Sequence, residues 1–308
     1  PLPTYPKGKI FNGYKGKFYT KEEVEGIIVR RFWVYPTVSK NFIIRFFGMV
    51  SFAPTLWTGL LHYLKRKPDI MIVQHSPLLV SFSAMILGKL LPGCKRILNV
   101  SDLWPLTAVE LGAMTDSGLM YRVMERIEHF NYHHSHLILG QSGEILQHIK
   151  DRTDKPLLLY RNISPEYSAQ KINLEKYHEG RPKIVYAGLL GVAQGIYNLC
   201  QHIDFKGMGV EFHIYGSGNE EEKIRTYIEN NPNSNIIYHG SVPREELHEK
   251  LPGFHASVVP LTNRIYGALP SKIFELISFG VPVLFCGGGE GAEIVRDNKL
   301  GLTSDPGN

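Results

Sequence analysis

The stretch YGALPSKIFELISFGVPVLF, residues 266–285, decides the fold. Pro270 is pre-set for the first turn of a helix, and Ser271 suits the cap or an anion held there. Ile273, Leu276 and Ile277 make an apolar face, while Lys272 and Glu275, three apart, share the face of the first turn. Gly280 ends the helix, and Val281–Phe285 reads as a strand of a parallel sheet, buried on both sides. A lysine at a helix start suits a phosphate, and a carboxylate one turn on suits a sugar diol. Together they can hold a nucleotide sugar.

Outward from this stretch, short β-rich runs alternate with helical patterns, which predicts parallel βαβ units. Strands are expected at Gly26–Val34, Asp69–Val73, Arg96–Val100, Leu137–Gly140 and Leu157–Tyr160. After a polar stretch, Asn162 to Pro182, they resume at Lys183–Ala187, Val210–Tyr215, Asn235–His239 and Ala256–Leu261. The domains predicted are 1–163, a linker at 164–182, and 183–308. A hydrophobic content of 43% over 308 residues is enough for two cores.

The net charge of +5 is uneven, +8 over residues 1–150 and −3 over 151–308. A basic first half suits anionic lipid or a phosphate-bearing acceptor, and no recognised nucleic-acid module accompanies it. Cys94, Cys200 and Cys286 lie far apart with no CxxC pair, which argues against disulfides or a thiolate metal site and fits a reducing compartment. Residues 42–64 are long enough to cross a bilayer. Arg45, Pro54 and the Lys65-Arg66-Lys67 end favour instead a helix packed on the sheet, either purely as core or with one edge on a membrane surface. His129 and His133 are spaced i, i+4, yet no carboxylate completes a metal motif, so a helix surface is expected there and no metal.

The segment LPSKIFELISFGVPVLF resembles the donor-site motif of family 4 glycosyltransferases, most closely the O-antigen and colanic-acid branch. ILNVSDLWP (97–105), LLYRNIS (158–164), IVYAGLLGVAQG (184–195) and FHIYGSG (212–218) fit in the same order. The resemblance spans nearly the whole chain. It implies a GT-B fold, an α/β architecture of two Rossmann-like parallel-sheet domains facing a cleft. It also implies that an opening strand with its glycine-rich loop and the final helices lie outside this chain.

Lys272 is then expected to neutralise a leaving diphosphate, with Arg264 as helper, and Glu275 to hold the nucleotide ribose. Gly188 and Gly191 either bring backbone amides to the diphosphate or simply make a tight turn. The family's usual arginine and lysine in this loop are replaced by Leu189 and Gln194, and its first motif glutamate by Gly267. Backbone groups up to Leu269 would take over sugar recognition. Gly216, Ser217 and Gly218, Val242, and Gly288 with Gly289 follow further strands, where such folds line their ligand site.

On the acceptor side, Asp102 is expected to orient or deprotonate a hydroxyl, helix capping being the alternative, and His75 to line the same region. The resemblance implies retention of anomeric configuration, the leaving diphosphate itself taking the acceptor's proton. The expected partners are a nucleotide sugar as co-substrate, a lipid-linked saccharide acceptor and an anionic membrane surface on the cytoplasmic side, with no cofactor and no nucleic acid. A nucleotide-sugar epimerase and a non-catalytic nucleotide-sugar binder are the rival readings.

Overall fold

The computed structural model describes residues 1–4, 9–37, 42–163 and 180–307. The chain forms two compact units, Pro1–Tyr160 and Arg161–Asn308. The expected linker at 164–182 falls mostly outside the described residues.

The first unit opens with β1 (Tyr19–Val24) and β2 (Ile27–Phe32), an antiparallel pair forming a sheet of their own. This corrects the expectation of a parallel strand at Gly26–Val34. Glu25 and Gly26 both have positive φ, +52° and +78°, as a tight two-residue hairpin requires. Next come α1 (Phe42–Thr55), with Pro54 in its last turn, a 3-10 turn (Leu56–Gly59) and α2 (Leu60–Lys65). Trp57 Nε1 donates to Ser83 Oγ (2.8 Å), which donates to Ala53 O (2.7 Å), so this segment packs on the next helix. Among the described residues no helix is long and apolar enough to cross a membrane.

Then follow β3 (Ile70–Gln74), α3 (Leu78–Lys89), β4 (Lys95–Val100), α4 (Leu106–Glu110), α5 (Leu119–His134), β5 (Leu137–Gly140), α6 (Gly143–Lys150) and β6 (Leu157–Leu159). The strands pair in parallel in the order β3-β4-β5-β6. Glu128, 2% exposed, accepts from Tyr132 Oη (2.8 Å) and bonds His148 Nε2 (3.0 Å), so this buried carboxyl is hydrogen-bonded. His134 and His136 of the histidine-rich segment are engaged with backbone, at Phe130 O and Arg96 N.

The second unit runs β7 (Lys183–Ala187), α7 (Ile196–His202), β8 (Glu211–Tyr215), α8 (Glu221–Asn230), β9 (Ile236–Gly240), α9 (Arg244–Lys250), β10 (Ala256–Pro260), α10 (Lys272–Ser278), β11 (Val283–Cys286), α11 (Glu290–Asp297) and β12 (Gly301–Ser304). All neighbours are parallel in the order β12-β11-β10-β7-β8-β9. The chain winds outward from β7 in one direction and then returns to wind in the other. That is the doubly wound Rossmann order, and the reversal between β7 and β10 opens a crevice at their carboxyl ends.

Alternation along β7 sends Val185 to one core, with Ile273, Leu276 and Phe285, and Tyr186 to the other, with Ile196, Phe212 and Ile214. At the end of α10, Gly280 N bonds Ile277 O (3.0 Å) and Val281 N bonds Leu276 O (3.0 Å), with Gly280 at φ +65°. This is a left-handed helix stop. Gly280→Ala is expected to cost about 1 kcal/mol. A denaturation midpoint equal to wild type would show that the stop does not depend on glycine.

Candidate functional site

Three loops meet at the crevice of the second unit. Gly188 N donates to Tyr215 O (2.9 Å) and Leu190 N to Ser217 O (2.9 Å), so the ladder between β7 and β8 continues past the strands, and Gly216 N donates to Gly240 O (2.8 Å) at the end of β9. The chains run so close that a Cβ on Gly216 would overlap the Gly188 carbonyl, and one on Gly218 the Leu190 carbonyl. The loop after β10 joins them, with Thr262 N donating to Ala193 O (3.0 Å). Gly191 lies under Gln194, whose Oε1 would be 2.7 Å from a Cβ there. Gly188, Gly191, Gln194, Gly216, Ser217 and Gly218 are thus brought together.

Lys272, the first residue of α10, reaches into this group. Its Nζ sits where a Cβ of Gly188 would be, 4.5 Å from the centroid of the Tyr186 ring and 3.5 Å from Tyr186 Oη. The Tyr186 hydroxyl donates to Leu189 O (2.6 Å), and burial raises its pKa, so it is a neutral phenol. Burial lowers the Lys272 pKa to about 8, partly offset by the charge of Glu275. The ring face and nearby carboxylate only partly replace water around the ammonium, so an anion entering here would find a poorly solvated cation.

Glu275 lies one turn on and faces α9. His248 Nε2 is 2.9 Å from its Oε1, and Arg244 Nε and Nη2 are each 3.4 Å from the same oxygen. Ser271 takes the cap position of α10 in helical conformation and makes no side-chain cap bond, so of the two expected roles, cap or anion contact, the hydroxyl cap is not formed. Pro270 lies one residue before it, and its carbonyl accepts from Ile273 N (3.1 Å). Val242 and Leu269 are half-buried against the core. A Cβ on Gly288 would lie 3.1 Å from Arg264 Cδ, which places Arg264 over the glycine loop after β11. Gly289 leads into α11 at φ +69°, and Glu290 there bonds Arg161 (2.5 Å).

Tyr186, Arg244, His248 and Arg161 were not foreseen as site residues. Tyr186 and Arg161 lie inside quoted motifs, and Arg244 with His248 show i, i+4 spacing, but no local pattern reveals what they face.

In the first unit, Asn99 Nδ2 donates to Gln74 Oε1 (2.8 Å), Gln74 Nε2 to Ser101 Oγ (2.7 Å) and Ser101 Oγ to Asp102 Oδ2 (3.3 Å). The helix after Pro105 has no side-chain cap, so Asp102 is not its capping residue. Crowding at the strand ends desolvates Asp102 and raises its pKa, against the Ser101 hydrogen bond. His75 departs from expectation. It is fully buried and stacked on Tyr132 (5.5 Å), and burial pushes its pKa down to about 4. A neutral ring without solvent access lines no open surface.

Residues 181–308 match the family model "Glycosyl transferases group 1". The probable glycosyltransferase WbjE of Pseudomonas aeruginosa is 23% identical over 286 residues, covering 88% of this chain and 71% of WbjE. The crystal structure of S. aureus TarM in complex with Fondaparinux, alpha-GlcNAc-glycerol and UDP superposes with a TM-score of 0.60 at 18% identity. The match covers 81% of this chain and 48% of TarM, so the chain spans about half of that relative. Sucrose-phosphate synthase from Thermosynechococcus elongatus gives a TM-score of 0.69 at 12% identity, covering 96% of this chain and 74% of that one.

The architecture is the GT-B fold. Its second unit is similar to group 1 glycosyl transferases over residues 181–308, and the chain as a whole is similar to a glycosyltransferase.

Proposed function

We propose that the chain transfers a sugar from a nucleoside-diphosphate sugar to a lipid-linked saccharide acceptor in surface-polysaccharide assembly, with retention of configuration. The observation that carries this is the buried Lys272 ammonium beside Gly188 and over Tyr186, at the reversal point of the doubly wound sheet. As the glycosidic bond breaks, charge grows on the departing diphosphate. A cation already stripped of most water stabilises that charge without reorganising. Glu275 takes the ribose hydroxyls, and the amides of the Gly188–Gly191 and Gly216–Gly218 loops that are not engaged in the strand ladder take the phosphates. The diphosphate accepts the acceptor's proton, so a separate base is not needed and Asp102 orients the hydroxyl. No cofactor beyond the co-substrate enters this scheme.

Uridine and guanosine diphosphate sugars, incubated with membrane extract as acceptor, test the reading by radiolabel transfer. Glu275→Gln is expected to lower donor affinity while leaving the melting curve intact. Wild-type donor affinity and turnover in that variant would overturn the donor site. Nucleotide binding without transfer or acceptor-dependent nucleotide release would favour the non-catalytic binder, to which Leu189 and Gln194 in place of cations lend weight.

The membrane part rests on the +8 first half and the basic end of α2. The chain would work on the cytoplasmic face, and anionic vesicles should retain it at low salt and release it as salt rises. Absence of flotation at every ionic strength would remove the membrane from the scheme.

A further inference from the structure

Arg244 and His248 stand i, i+4 on α9 and converge on a single oxygen, Glu275 Oε1. The His248 ring packs on Phe279 (4.7 Å between centroids), so its Nε2 is directed rather than free to swing. Glu275 is also three residues from Lys272, the spacing at which a carboxylate and an ammonium on one helix pair with each other. Its charge is already felt at Lys272. A direct pair would neutralise the cation that the diphosphate needs and turn the carboxylate away from a ribose.

We propose that His248 is a positioning residue that holds Glu275 off Lys272, keeping the carboxylate for the ribose diol and the ammonium for the diphosphate. This rests on the donor-site reading above. His248 donates from Nε2–H to Oε1, and the weaker contacts of the more exposed Arg244 follow the same direction. Fixing a flexible glutamate before the ligand arrives removes an ordering cost from binding.

The test uses the full chain and calorimetric titration with uridine and guanosine diphosphates and their 2′-deoxy forms. Variants are His248→Ala, His248→Gln, Glu275→Gln and the double variant His248→Ala/Glu275→Gln. His248→Ala is expected to lose about tenfold in affinity for the ribonucleotide. It should lose little for the deoxy form, so that ribose discrimination collapses. His248→Gln, whose amide can donate from a similar place, should keep most of the discrimination, and the double variant should bind no more weakly than Glu275→Gln.

Proton uptake on nucleotide binding near pH 8 should also fall in His248→Ala, because Glu275 then keeps Lys272 charged in the free protein. Unchanged discrimination in His248→Ala beside a clear loss in Glu275→Gln would overturn the positioning role alone. Equal losses for ribo and deoxy forms, or additive losses in the double variant, would also overturn it. Unchanged discrimination in Glu275→Gln would overturn the ribose reading and this proposal with it.

Discussion

Lys272→Met is expected to weaken nucleoside-diphosphate binding by about 1.5–3 kcal/mol without lowering stability at neutral pH. The stem stays buried and only the charge goes. Lys272 has a pKa of about 8 in the folded chain against 10.5 for an ordinary lysine. Below pH 8 it is charged in both folded and unfolded states, and its burial costs the folded state about 3 kcal/mol. From pH 8 to about 10.5 the unfolded chain binds more protons, so stability rises with pH over this window.

Binding runs the other way. A diphosphate favours the ammonium, so the complex takes up a proton near pH 8–9, and affinity falls as pH climbs above 8. Calorimetry in buffers of different ionisation enthalpy measures that uptake directly. Lys272→Met should abolish the uptake and flatten the pH profile. A wild-type affinity in this variant, or binding that strengthens above pH 8, would remove Lys272 from the phosphate site.

The second large effect concerns two touching glycines. Gly216 has φ +139°, and its missing Cβ would overlap the Gly188 carbonyl. Neither side can yield by a rotamer change, because both groups are backbone. Gly216→Ala is expected to cost about 3 kcal/mol or more and to abolish nucleotide binding. Gly188→Ala meets the end of a flexible lysine instead, at φ +153°. It should cost about 1–2 kcal/mol in strain and push Lys272 toward water. Its nucleotide affinity should then resemble that of Lys272→Met. Thermal melts with parallel titrations separate the two cases. If both alanine variants melt and bind alike, the close approach of the two loops is wrong.

Much of the second unit was legible because parallel strands covered on both faces leave continuous apolar runs. Lys183–Ala187 is an example with bounds read correctly from the residues. β1 was missed because Lys21, Glu22 and Glu23 break any apolar alternation, and the Glu25-Gly26 turn lacks the asparagine or aspartate that signals a hairpin. β12, with only Leu302 as a large apolar residue, gave no run at all.

The site divides in the same way. Lys272 and Glu275 could be read together because helical spacing is local. Tyr186 lies 86 residues from Lys272 and His248 lies 27 from Glu275, and only the folded sheet brings them together. His75 misled for a related reason. A histidine after a strand reads as a rim residue until the packing of α5 is known.

The ion pair between Arg161 and Glu290 has a practical meaning for anyone recombining such chains. By composition the natural seam for a chimera is the predicted linker, 164–182, within the polar stretch. Arg161 lies upstream of it, yet its partner is the first residue of α11, 129 positions later. A crossover placed in the polar stretch would import a foreign residue at position 161 and remove this contact of Glu290. Cutting after Tyr160, so that Arg161 travels with its carboxylate, keeps the inherited module whole.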